Sequence, residues 1–172
     1  RALSVSVVET ASVEAVYHRL AATYDWMFGP ALQAGRLEAI KKLPLRPGDN
    51  VLEIGVGTGI NAALYPNDVS VTGIDIANGM LEKAAQRLAA RNVHNVQLMH
   101  MDAANLEFPD DSFDLVYAPY VISAVPDPVA VAREMRRVCR SGGHFVILSH
   151  FLSGNRMAAL AERLFSPIMI HA

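Results

Sequence analysis

The run Val51-Leu52-Glu53-Ile54-Gly55-Val56-Gly57-Thr58-Gly59 constrains this chain more than any other. A mostly apolar strand runs into three glycines at alternate positions, where the backbone must turn tightly and a Cβ would clash with anything lying against it. A second strand pattern, Val69–Ile74, is followed by Asp75, twenty residues after Gly55. An acid ending the next strand can take both hydroxyls of a ribose. The spacing is G-x-G-x-G rather than the G-x-G-x-x-G of dinucleotide enzymes, and Glu53 lies inside the strand two residues before the first glycine. Taken alone, such a loop is also an ordinary strand-to-helix turn; the acid beyond it is what points to a nucleoside.

On either side of this run, strand and helix patterns alternate. Strands are expected at Val51–Ile54, Val69–Ile74, Val96–Met101, Phe113–Ala118 and His144–Ser149. Between them lie a short helix near Ile60–Leu64 and a longer one from about Gly79 to Ala90, with Asn78 as cap and Leu81, Ala84, Ala85 and Leu88 facing the sheet. A helix from about Pro128 to Arg140 is expected to stop at Ser141-Gly142-Gly143. Helices at Ser12–Tyr24 and about Ala31–Leu43 precede the first strand, the second showing Arg36, Lys41 and Lys42 on its polar side. Strands separated by crossovers predict an α/β fold with a doubly wound, Rossmann-like parallel sheet. Its ligand belongs outside the carboxyl ends of the strands.

With 172 residues the whole chain is expected to be one domain, opening on an amphipathic helical segment over about 12–43. Only 22 residues follow His150, enough for a helix at Arg156–Phe165 and a strand stub at Pro167–Ile170. The sheet is therefore expected to be short of its last strands, and the opening on Arg1 fits a trimmed chain. The hydrophobic share is high, at 52%, yet no run of about eighteen apolar residues occurs. A formal net charge of −2 argues against a nucleic-acid binder. The single cysteine, Cys139, lies in a helical pattern beside Val138, as a buried hydrophobe or, alternatively, a reactive thiol. One cysteine allows no internal disulfide, in keeping with a reducing cytoplasm. His94, His100 and His171 have no ligand spacing with Cys or carboxylates, so no metal site is expected.

The glycine run with its Glu53, the acid Asp75 and the later strand ends resemble class I S-adenosylmethionine (SAM) methyltransferases. More narrowly, Tyr24-Asp25-Trp26-Met27-Phe28-Gly29, Met101-Asp102-Ala103, Ala118-Pro119-Tyr120-Val121-Ile122 and Arg137-Val138-Cys139-Arg140-Ser141-Gly142-Gly143 are similar to bacterial phosphatidylethanolamine N-methyltransferases of the soluble type. The pattern is also similar to quinone C-methyltransferases, so a C- or O-methyltransferase of a quinone or other small molecule stays open beside it.

The resemblance implies a cofactor, SAM, with S-adenosylhomocysteine as product. Glu53, Gly55, Gly57, Thr58 and Gly59 would meet its amino acid part and Asp75 its ribose. Ile76 and Met80 would sandwich the adenine, with Asp102, the backbone of Ala103, and Ala118 completing the pocket. Met80 reads equally as a helix residue packed on the sheet, and Asp102 as a turn or cap residue. At Tyr117-Ala118-Pro119-Tyr120, nucleobase amino-methyltransferases carry Asp/Asn-Pro-Pro-Tyr, and the changed first two residues speak against a nucleobase acceptor. The implied acceptor is the amine of phosphatidylethanolamine, with Tyr24, Tyr120 and His150 as catalytic candidates. The implied setting is cytoplasmic, peripheral to the inner face of the membrane. There the Ser12–Tyr24 helix and basic Arg19, Arg36, Lys41 and Lys42 would meet an anionic surface, or the helix would instead cover the pocket. Oligomeric state is not legible.

Overall fold

Five aliphatic-rich segments assemble as one parallel sheet in the computed structural model, which describes residues 36–148. The strands are β1 (Asn50–Ile54), β2 (Ser70–Asp75), β3 (Val96–His100), β4 (Phe113–Pro119) and β5 (Cys139–Leu148). Their order is β3-β2-β1-β4-β5, and every neighbouring pair is parallel. Helix α1 is described over 36–42, α2 spans Asn78–Ala90 and α3 spans Pro128–Val138. The expected doubly wound α/β architecture is present. The helices expected at Ser12–Tyr24 and Arg156–Phe165, the stub at Pro167–Ile170, and Tyr24, His150 and His171 lie outside the described residues.

Period-two alternation along β1 sends its residues to two cores. Leu52 and Ile54 join Ile74, Val116, Met135 and Val138 under α3. Val51 joins Val71, Leu115 and Tyr117 under Ile40 and Leu43, at the α1 end. Leu88 of α2 packs with Val56 and Ala62. Leu52 and Ile54 are fully buried, each contributing about 1.5–3 kcal/mol by burial alone. Burial on both faces is why these strands read as continuous apolar runs rather than as alternating ones.

Several boundaries differ from expectation for identifiable reasons. Asn78 is the first residue of α2 rather than its cap, and Ala77 occupies the cap without a side-chain bond. Ala84 and Leu88 are buried, but Ala85 turns outward, so the buried stripe is narrower than expected. The short helix is a single 3-10 turn, Ala62–Leu64. Helix α3 begins as its residues dictate, with Asp127 accepting from the N–H groups of Val129 at 3.1 Å and Ala130 at 2.9 Å and Pro128 in the first turn. It ends at Val138, earlier than Arg140, because Cys139 already pairs with Phe113 in β5. The strand is irregular between there and the His144–Leu115 pair, and Asp111 accepts from the Ser141 N–H at 2.9 Å inside that irregularity. Cys139 is buried, as a packing residue.

No helix is described between β3 and β4. Arg137 of α3 holds that connection instead, donating to the carbonyls of Leu106 at 2.8 Å and Phe108 at 2.7 Å and to Asp110 at 2.8 Å. Glu134 grips the same guanidinium with both carboxylate oxygens. This planar, many-donor role suits arginine and no other side chain. The strand order reverses direction between β1 and β4, so a crevice opens at their carboxyl ends.

Candidate active site

Three left-handed glycines follow β1, with φ of +68° at Gly55, +55° at Gly57 and +74° at Gly59. They serve different ends. A Cβ on Gly55 would lie 2.7 Å from Val121, so this glycine lets the loop pack against the turn after β4. One on Gly59 would lie 3.0 Å from Ala84, so it lets α2 approach. A Cβ on Gly57 would meet nothing nearer than 4.0 Å. The middle glycine therefore presents bare backbone to open space, and it is the position where a side chain would fill a ligand cradle.

Asp75, at the end of β2, fixes that loop. Its Oδ2 accepts from Gly57 N–H at 2.8 Å and its Oδ1 from Ala77 N–H at 2.9 Å. Burial pushes its pKa up, against the pull of the Ala77, Gly57 and Ile76 N–H groups and of nearby His100. A carboxylate oxygen has two lone pairs, so both oxygens keep one for a diol. Thr58 is buried, and Arg87 of α2 donates to its carbonyl and its hydroxyl, both at 2.8 Å. Arg87 thus clamps the loop to α2 through both groups of Thr58.

Beyond Asp75, Ile76 is 45% exposed despite its size, and Met80 is half-buried one turn later. An exposed aliphatic beside the strand-end acid offers an apolar face that suits a flat ring. Asp102 is exposed and its Oδ1 accepts from Ala104 N–H at 2.9 Å, the turn role weighed for it. Ala103 is half-buried and Ala118 buried.

Glu53 is fully buried at the end of β1, opposite Tyr117 in the β1–β4 register. Burial pushes its pKa up to about 7, while Tyr65, Asn61 and Arg36 beside it pull the other way. Neither Tyr65 nor Asn61 closes a well-formed hydrogen bond to it. Both Glu53 oxygens, Asn61 Oδ1, Tyr65 Oη, Tyr117 Oη and Arg36 Nε are buried without a hydrogen-bond partner. Unsatisfied buried polar atoms are uncommon, and several together mark a place built for a polar group or for water. Burial, then the Glu53 charge, also drives the Tyr117 phenol upward.

Tyr120 takes a left-handed backbone, φ +61°, at the end of β4, with its N–H bonded to the Leu148 carbonyl at 2.7 Å. A non-glycine residue held there costs about 1–3 kcal/mol and is typical of functional turns. The Arg36 guanidinium lies over its ring, 5.7 Å from the centroid. Arg36 was expected on the basic outer side of its helix; it turns inward instead, and only Lys41 and Lys42 remain exposed there. Lys42 pairs with Glu38 at 3.2 Å.

The structure thus brings Glu53, the glycine loop, Asp75 and Tyr120 to one crevice, with Ile76, Met80, Asp102 and Ala103 following β2 and β3 on the same sheet edge. Sequence reasoning missed Asn61, Tyr65 and Arg87 at the site, put Arg36 on the outer surface, and gave Val121 no role there. Only Tyr117 had a legible signal, since it stands two residues before the turn and alternates with Leu115.

A nucleoside-binding Rossmann-like α/β protein is the class these features define. The chain belongs to the family of SAM-dependent methyltransferases: the methyltransferase domain family matches residues 52–147. A phosphatidylethanolamine N-methyltransferase of Cereibacter sphaeroides is 40% identical over 157 residues, 91% of this chain and 76% of that one. A demethylmenaquinone methyltransferase of Listeria monocytogenes is 34% identical over 117 residues, 66% of this chain and 49% of the relative. Among solved structures, the YcgJ protein of Bacillus subtilis has a TM-score of 0.67 at 29% identity, covering 76% of this chain and 57% of that one. The chain therefore spans about half the length of the quinone-type relative.

Proposed function

We propose that the protein methylates the amine of phosphatidylethanolamine, toward phosphatidylcholine, at the inner face of the cytoplasmic membrane. The observation that carries this reading is the 40% identity to a phosphatidylethanolamine N-methyltransferase across 91% of the chain. A second reading, C- or O-methylation of a quinone or other small molecule, is favoured by the 34% identity to a demethylmenaquinone methyltransferase, but over 66% of the chain.

SAM, when bound, supplies a methyl group already activated by its sulfonium, so no protein nucleophile is required. The bare backbone at Gly57, the ribose-directed lone pairs of Asp75 and the exposed face of Ile76 fit that cofactor. Glu53 places a buried carboxyl on the side of the cofactor's amino acid part. Met80, Asp102, Ala103 and Ala118 close the base end. The remaining task is to hold donor and acceptor in line.

The ammonium of the headgroup has no lone pair, so its proton must leave before transfer. Tyr120, with Tyr24 and His150 from the flanking segments, is assigned to the acceptor side. Phenol or imidazole can relay the proton, and aromatic faces favour the cation that forms. That the Tyr120 ring already carries a guanidinium supports its use as a cation platform. For the surface itself, no helix among the described residues is long and apolar enough to cross a membrane. Contact is assigned to Ser12–Tyr24 with Arg19, Lys41 and Lys42, each well-placed cation adding about 1 kcal/mol on anionic lipid.

Purified protein given labelled SAM and phosphatidylethanolamine vesicles tests the reading. Label is expected in methylated phosphatidylethanolamine, and more of it on anionic vesicles at low salt. Absence of label from every phospholipid contradicts it.

A further inference from the structure

We infer that Arg36 recognises the phosphodiester of the acceptor headgroup and so makes the site selective for a phospholipid over a neutral acceptor. The inference rests on the phosphatidylethanolamine reading and adds to it the residue that reads the anionic half of the substrate.

Three observations carry it. Arg36 is the polar residue that departs from its expected place: it leaves the outer side of α1 and lies over Tyr120, 5.7 Å from the ring centroid. Its Nε is buried and has no hydrogen-bond partner, in contrast to Arg87, Arg137 and Arg140, whose guanidinium groups bond to described residues. It also lies close enough to Glu53 and Tyr117 for its charge to act on both. A guanidinium brought to the crevice with a donor unspent is disposed to take an anion.

The chemistry of the headgroup selects the anion. Phosphatidylethanolamine carries a phosphate monoanion two carbons from its ammonium. Guanidinium presents a planar fork that matches phosphate oxygens, and such charge-assisted pairs are the strong ones. An aromatic ring takes the ammonium end and the methylated products. Arg36 covers one face of Tyr120, so one zwitterion can be held at both ends if its ammonium meets the ring from the side away from the guanidinium, at the end of β4 where the crevice opens. A quinone ring has no such anion, so for it the Arg36 fork would be desolvated without return. Contact of Arg36 with the Tyr120 ring also restricts the side chain beforehand, which lowers the ordering cost of each bond it makes.

The test is Arg36→Met, which keeps the apolar stem, beside Arg36→Lys, which keeps the charge and loses the fork. Methyl transfer from SAM to phosphatidylethanolamine in detergent micelles gives KM and kcat. Calorimetry with S-adenosylhomocysteine reports the donor site, and sn-glycero-3-phosphoethanolamine serves as competitor. Expected is a rise in the lipid KM of about tenfold to a hundredfold in Arg36→Met, with partial recovery in Arg36→Lys. S-adenosylhomocysteine affinity should stay within about twofold of wild type, and the competitor should inhibit wild type and not Arg36→Met. A parallel loss of S-adenosylhomocysteine affinity would overturn the inference, because Arg36 would then be holding the carboxylate of the donor. An unchanged lipid KM would overturn it as well while leaving the lipid reading standing. Failure of wild type itself to methylate the lipid would remove both.

Discussion

The carboxylate of Asp75 accepts the N–H of Gly57 at 2.8 Å, so the acid that ends β2 is tied to the middle glycine of the loop that ends β1. Two features that read as separate ligand contacts are thus one mechanical unit. Asp75→Ala should leave the Gly57 and Ala77 donors unpaired and remove the ribose acceptor together. The expected loss of S-adenosylhomocysteine affinity is about 1.5–3 kcal/mol, roughly tenfold to a hundredfold. Calorimetry returning wild-type affinity would detach Asp75 from the ribose.

The glycines separate folding from binding. Gly59→Ala pushes a methyl to 3.0 Å from Ala84 and should lower the thermal midpoint, since strain at positive φ costs about 1–2 kcal/mol before any clash is counted. A Cβ on Gly57 meets nothing within the protein nearer than 4.0 Å, so the stability loss of Gly57→Val should come from backbone strain, which is larger for a β-branched residue at positive φ, while its cofactor affinity collapses. Scanning calorimetry and titration of both variants check the contrast. Equal cofactor affinity in Gly57→Val and wild type would show that the open side of Gly57 is not the cradle.

Glu53 makes stability depend on pH. Its pKa is about 7 in the folded chain against an ordinary 4.5, so between those values the native state binds more protons than the unfolded one. Stability contributed by the protonated form is full below about pH 4.5 and is lost as pH rises through about 7, a total of about 3 kcal/mol. Glu53→Gln should lack this loss, so its stability relative to wild type should rise from pH 5 to pH 8. Denaturant unfolding at the two pH values measures it, and a pH-independent difference would show that Glu53 is ionised throughout.

How much of this was legible follows from which interactions are local. The parallel sheet, the glycine run and Asp75 at the end of the second strand could be read because apolar runs, turn residues and short spacings encode them, whereas the strand order β3-β2-β1-β4-β5 could not. The end of α3 could not, because pairing of Cys139 with Phe113 competes with helix continuation and depends on a strand 26 residues away. Arg36 was placed on the solvent side because Lys41 and Lys42 share its helix and charged residues are seldom buried. Its inward partners, the Tyr120 ring and the Glu53 carboxyl, come from strand ends distant in sequence. Arg87 on Thr58 and Arg137 on Phe108 are equally nonlocal, at separations of 29 residues each.

The strained turn at Tyr120, φ +61°, gives the proposed acceptor side its own test. Tyr120→Ala should slow methyl transfer by about tenfold or more, on the order of 1–2 kcal/mol for a desolvated cation–π contact, with S-adenosylhomocysteine affinity retained. Tyr120→Phe keeps the ring face and should recover most of the rate if the ring acts as a platform, or little if the phenol relays the proton. Single-turnover rates for both variants decide between these roles. A wild-type rate in Tyr120→Ala would make the residue a packing element only.

The acceptor itself is tested most directly by giving the purified protein labelled SAM and a total lipid extract containing both phosphatidylethanolamine and demethylated quinone, then separating the products. The account predicts label in mono-, di- or trimethylated phosphatidylethanolamine and none in the quinone fraction. Label confined to the quinone fraction would contradict it.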